Sequence, residues 1–138
     1  MPTSEQASSP PSPEVGARVL VAEDHALVAL HLMTTLQAAS YVVVGPVSAV
    51  AEALTIVDSA PPDAALLDLQ FAAGNTAPVA AALLAGDVPF VVLTDDAGRE
   101  LEPALAGAPR LAKPVQPDLL LSLVHDLVKG RGNSAPPR

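Results

Sequence analysis

The 138-residue sequence predicts an α/β fold, a doubly wound five-stranded parallel sheet with helices on both faces. Three observations carry that expectation. Short, mostly apolar runs end abruptly in polar residues: Val19 to Ala22 before Glu23-Asp24, Ala64 to Leu67 before Asp68, Phe90 to Leu93 before Thr94-Asp95-Asp96, and Arg110-Leu111-Ala112 before Lys113-Pro114. Segments of helical periodicity separate these runs. The connections are short, which favours right-handed crossovers between neighbouring parallel strands.

In order along the chain, residues 1–16 are rich in Ser and Pro (Ser8, Ser9, Pro10, Pro11, Ser12, Pro13) and read as a disordered tail. Arg18 to Ala22 is the first strand. A helix comes next, from about Ala26 to Ala39, with Ala29, Leu32, Met33 and Leu36 on its inner face. Tyr41 to Val44 makes the second strand, ending at Gly45-Pro46. Ser48 is the expected N-cap of a helix that turns Val50, Ala53, Leu54 and Val57 inward. Pro61-Pro62 stops the chain before the third strand, which Asp68 ends. A loop through Gly74 then leads to a helix capped by Asn75 or Thr76, with Val79, Ala82 and Leu83 inward and an end near Gly86.

Val88 to Leu93 is the fourth strand. The segment from Ala97 to Gly107 offers only Leu101 and Leu105 as an apolar stripe and carries Pro103, so a short or broken helix is expected there. Arg110 to Ala112 is the fifth strand. The last helix has Pro117 in its first turn, Leu120, Leu123, Val124 and Leu127 inward, and Gly130 just past its end. Residues 130–138 resemble the first tail in composition, leaving residues 17–129 as one domain.

Composition narrows the function classes. Hydrophobic residues make up 50% of the chain but aromatics only 2%, which disfavours base stacking. Cysteine is absent, which excludes disulfides, thiolate metal sites and cysteine nucleophiles. The net charge of −8 lies in residues 17–129, where 13 acidic residues face five basic ones, so binding to a nucleic-acid backbone is disfavoured. No apolar run approaches the roughly 20 residues of a membrane span, and a cytoplasmic protein is expected.

In a parallel α/β sheet, ligands bind at the carboxyl ends of the strands, and the polar residues noted above all fall there. A buried strand ending in a charge is costly unless the charge is solvated or partnered, so Asp68 needs an explanation. Glu23, Asp24 and Asp68 together would repel one another unless a cation sat among them, and hard oxygen ligands suit Mg²⁺. Lys113 adds a fixed positive charge and Thr94 a hydroxyl. In-line phosphoryl transfer requires such positioning and charge neutralisation, with Asp68 as the nucleophile. His25, His31 and His125 read as helix-surface residues.

Val21-Ala22-Glu23-Asp24, Leu66-Leu67-Asp68-Leu69, Leu93-Thr94 and Ala112-Lys113-Pro114, in this order and spacing, resemble the receiver domain of bacterial two-component response regulators. The resemblance covers about residues 17–129. It implies a flavodoxin-like sheet of strand order 2-1-3-4-5 and phosphorylation of Asp68 by a histidine kinase or histidine phosphotransfer protein. It also implies Mg²⁺ held by Glu23, Asp24, Asp68 and the backbone carbonyl of Gln70. Thr94 and Lys113 would contact the phosphoryl group, and the Lys113-Pro114 bond would be cis. Pro89-Phe90-Val91-Val92-Leu93-Thr94 is similar to a stand-alone receiver subgroup, although Asp95-Asp96 replaces the Gly-Tyr that ends its motif.

Two further departures concern the readout of phosphorylation. Arg110 stands where the family usually carries a switch aromatic, and Pro103 interrupts the fourth helix. The expectation is therefore a monomer or weak dimer without turnover of an external substrate, signalling to a protein partner through residues 94–113. A pseudo-receiver that binds partners independently of phosphate is the alternative. A small Mg²⁺-dependent hydrolase ranks last, because Gln70 is not an acid available for proton transfer.

Overall fold

The computed structural model describes residues 16–96 and 98–133. Strands and helices alternate along it: β1 Arg18–Ala22, α1 Ala26–Ala38, β2 Val42–Val47, α2 Val50–Ser59, β3 Ala64–Asp68, α3 Ala77–Ala85, β4 Phe90–Thr94, α4 Pro103–Ala106, β5 Arg110–Ala112 and α5 Pro117–Asn133. All strand pairs are parallel, in the order β2-β1-β3-β4-β5. The order reverses between β1 and β3, and the crevice at their carboxyl ends is where this architecture binds ligands.

Because strand side chains alternate between faces, each strand feeds two cores. Leu20, Ala65, Leu67, Phe90 and Val92 pack with α2, α3 and α4. Val19, Val21, Leu66, Val91 and Leu93 pack with α1 and α5. β3 and β4 are buried at every position, as near-continuous apolar runs in a doubly covered sheet require.

Several element ends differ from the sequence expectation. β2 does not end at Gly45-Pro46 but runs through it to Val47, and its register against β1 shifts between the Leu20–Val44 and Ala22–Val47 pairs. Gly45 has φ 101° and a Cβ there would meet Val47 N at 2.8 Å, so only glycine fits the irregularity. Ser48 is not the cap of α2: the N-cap is Ala49, without a side-chain hydrogen bond, and Glu52 supplies a favourable charge in the first turn. Thr76 is the N-cap of α3, as one of the two expected positions, though its side chain makes no capping hydrogen bond. Ala80 is buried with Val79 and Leu83, while Ala82 packs half-buried against the same core.

Among its described residues, the segment after β4 regains helix only in the single turn Pro103–Ala106. There Pro103 opens the turn, a position where its missing N–H costs nothing. Leu105 is its buried anchor. The last helix passes through Gly130 to Asn133, longer than expected. At the other end, Gly16 belongs to the fold, since its N–H donates to Ser40 O. The two expected tails otherwise lie largely outside the described residues.

Candidate functional site

At the carboxyl end of β3, Asp68 is 1% exposed. Its Oδ2 accepts from Lys113 Nζ at 2.6 Å and its Oδ1 from the Gln70 N–H at 2.8 Å. Burial pushes the Asp68 carboxyl up, but Glu23 beside it and the hydrogen bonds from Lys113 and the Gln70 N–H outweigh that and hold the group below the ordinary aspartate range. For Lys113, burial works against the ammonium. The bond and charge of Asp68 prevail, and its pKa is raised.

Glu23 lies one residue past β1 and is 2% exposed. Its Oε2 accepts from the His25 N–H at 3.0 Å, while its Oε1 is buried without a hydrogen-bond partner. Burial, reinforced by the neighbouring Asp68, raises its pKa from 4.5 to about 7. His25 itself is the N-cap of α1, its Nδ1 accepting from the Val28 N–H at 3.5 Å.

Strand alternation explains which residues meet. Glu23, Asp68 and Lys113 continue the rows Val19-Val21, Ala64-Leu66 and Leu111, which face α1 and α5. Asp24 and Thr94 continue the opposite rows, Leu20-Ala22 and Phe90-Val92. Asp24 is exposed, and its Oδ2 accepts from the Ala72 N–H at 3.2 Å. Thr94 is 2% exposed, but its hydroxyl is engaged in its own loop, accepting from the Asp96 N–H at 3.0 Å and donating to Asp96 O at 3.2 Å. The Gln70 carbonyl accepts from the Gly74 N–H at 3.3 Å.

Of the sequence-predicted residues, Glu23, Asp68 and Lys113 are therefore brought together, while Asp24, Thr94 and the Gln70 carbonyl are engaged elsewhere. Among the described residues, no group of three His, Cys, Asp or Glu side chains is gathered as a metal centre. The Glu23–Asp68 pair nevertheless suits a hard cation: two oxygen-donor carboxylates crowd together, and Glu23 Oε1 is buried with nothing to satisfy it.

Two engagements were not legible in the sequence. Ala72 acts through its backbone N–H, and no side chain announces that. Asp96 acts on Thr94 through its main chain. Arg110 reaches the same loop, donating from its guanidinium to Arg99 O at 2.6 Å. The expected Lys113-Pro114 cis bond is present, as is a second at Gly45-Pro46.

Fold and site together define a doubly wound α/β domain whose switch-point crevice holds a buried aspartate paired with lysine. No family profile and no curated protein sequence matches the chain. Solved structures do. SdrG from Sphingomonas melonis Fr1 is 33% identical with a TM-score of 0.69, the alignment covering 83% of this chain and 98% of that one. A response regulator receiver protein from Sinorhizobium medicae WSM419 is 25% identical with a TM-score of 0.74, covering 84% and 97%. The receiver domain of a sensor histidine kinase from Pseudomonas aeruginosa PAO1, described with a magnesium ion coordinated in its active-site cleft, is 22% identical with a TM-score of 0.71, covering 83% and 99%. The chain belongs to the response regulator receiver domains.

Proposed function

We propose that this receiver domain accepts a phosphoryl group on Asp68 from a histidine kinase or histidine phosphotransfer protein and signals through the residues it then rearranges. The observation that carries this reading is the 2.6 Å contact between Lys113 Nζ and Asp68 Oδ2 at the buried end of β3. That contact keeps the carboxylate ionised, and so nucleophilic, at neutral pH. An Asp68 oxygen forms the new P–O bond as the P–N bond to the donor imidazole breaks, and the imidazole keeps the electron pair and takes up a proton.

Lys113 then faces the phosphoryl oxygens instead of the bare carboxylate. The Thr94 hydroxyl reaches them only after leaving Asp96. Mg²⁺, when bound through Glu23, Asp24, Asp68 and the Gln70 carbonyl, supplies further neutralisation of phosphoryl charge. No external substrate is turned over.

Intact mass after incubation with a small phosphodonor and Mg²⁺ tests the assignment. One added phosphoryl group, labile to hydroxylamine as an acyl phosphate and absent in Asp68→Ala, is expected. The same modification at undiminished level in Asp68→Ala moves the site elsewhere. An unmodified wild type favours the pseudo-receiver, a reading that the local satisfaction of Thr94 by Asp96 supports.

A further inference from the structure

Shortly after the proposed phosphoacceptor, the chain makes a turn, Phe71–Gly74, that is not regular helix. Ala72 (φ 51°, ψ 46°) and Ala73 (φ 61°, ψ 31°) are both left-handed, and Gly74 comes next at φ 89°. A left-handed alanine costs roughly 1–2 kcal/mol because Cβ crowds the following carbonyl, and here two stand in succession. Glycine at these positions would carry no such cost.

The same turn engages two of the four expected cation ligands. The Ala72 N–H donates to Asp24 Oδ2 at 3.2 Å, and the Gly74 N–H donates to Gln70 O at 3.3 Å. One strained turn thus competes for a side-chain oxygen from the end of β1 and a backbone oxygen from the end of β3. Ala73 and Gly74 also border a polar cleft of about 360 Å³, with Arg99 and Glu100 across it, so the turn has space into which to move. Phe71, fully buried, anchors its beginning and confines any movement to the residues beyond.

We propose that the Phe71–Gly74 turn is a clasp that sets the site's affinity for a divalent cation, holding Asp24 Oδ2 and the Gln70 carbonyl until a cation displaces its two N–H donors. This rests on the Mg²⁺ reading above and adds to it a cost built into residues 72 and 73. While the clasp is closed, apparent affinity falls by the fraction of molecules in which it is open. Strain in the closed turn works the other way, keeping that fraction from vanishing. Relieving the strain should therefore hold the clasp shut and weaken cation binding.

The test compares wild type with Ala72→Gly/Ala73→Gly, titrating each with MgCl₂ by calorimetry and following amide hydrogen exchange at residues 72 and 74. Left-handed glycine stabilises the closed turn, so Mg²⁺ binding should weaken by about tenfold in the variant. In wild type, Mg²⁺ should speed exchange of both amides. Affinities within twofold of each other, or amides better protected with Mg²⁺, would overturn the clasp while leaving the cation site standing. A wild type that binds no Mg²⁺ up to tens of millimolar would overturn the cation site and the clasp together.

Discussion

The ends of β3 and β4 lie side by side, Asp68 against Leu93 in register, yet they are held in different ways. Asp68 and Thr94 are equally buried, and both are fully hydrogen-bonded. Besides the local Gln70 N–H on its Oδ1, Asp68 is tied through Oδ2 to Lys113, 45 residues away on the far side of β4. The partner of Thr94 is Asp96, two residues on in its own loop. The helices that succeed the two strands differ as well: α3, after β3, has nine residues, and α4, after β4, has four. A side chain tied across the sheet is fixed by the fold as a whole. One satisfied by its own loop can turn as soon as a better partner arrives. The acceptor end of the site is built in advance, and the readout end is the part left to rearrange.

Removing the long-range tie should have the largest effect. Lys113→Ala leaves a buried carboxylate beside Glu23 with no counter-charge, and urea unfolding at pH 7 should show a loss of roughly 4 kcal/mol. Adding Asp68→Asn to that variant removes the stranded charge and should recover more than half of the loss. If Lys113→Ala alone costs under about 0.5 kcal/mol, the tie across β4 does not order this end of the site.

Next in size is a pH effect at Glu23. Below pH 4.5 its carboxyl is protonated in both folded and unfolded chains. Between 4.5 and about 7 only the folded chain keeps the proton, so stability falls as pH rises and levels off above 7. At about 1.36 kcal/mol per pH unit, the contribution lost is about 3 kcal/mol. Asp68, held low, titrates beneath this window. Glu23→Gln does not titrate, so its melting temperature, measured without divalent cation, should exceed that of wild type at pH 8 and lie close to it at pH 4.5. Parallel pH profiles for the two proteins would mean that Glu23 is not a strained neighbour of Asp68.

Thr94→Val should have the smallest effect. It removes two local hydrogen bonds whose main-chain partner is in an open loop that water can reach, so about 1 kcal/mol or less is expected from thermal unfolding. A loss above about 2 kcal/mol would make the β4 end as rigidly held as the β3 end and erase the contrast.

The same contrast divides what the sequence disclosed from what it hid. Apolar runs such as Ala64 to Leu67 and Val91 to Leu93, bounded by polar and turn-forming residues, read as buried strands, so strand identity and the position of Asp68 were legible. Parallel pairing followed from the alternation with helices, and strand order came from the receiver resemblance. The convergence of Glu23 and Lys113 on Asp68 arose from the same two-residue alternation. Asp24 and Thr94 sit one step out of phase with those rows, and adjacency in sequence concealed the difference. Their partners are the main chain of Ala72 and of Asp96, and backbone groups leave no mark in the order of side chains. Gly45 shows the same limit: a glycine and a proline read as the end of β2, while pairing with β1 carried the strand through an irregular register.

Amide hydrogen exchange, with and without Mg²⁺ and beryllofluoride as a mimic of the phosphoryl group, tests the central claim most directly. If Asp68 is prebuilt and the β4 end is remade, protection in β3 and β1 stays nearly constant while residues 94 to 113 change, beginning at the amide of Asp96 as Thr94 leaves it. With the mimic shown to be bound, unchanged exchange across residues 94 to 113 would contradict the account and leave Asp68 as a phosphate sink or relay station without a switch.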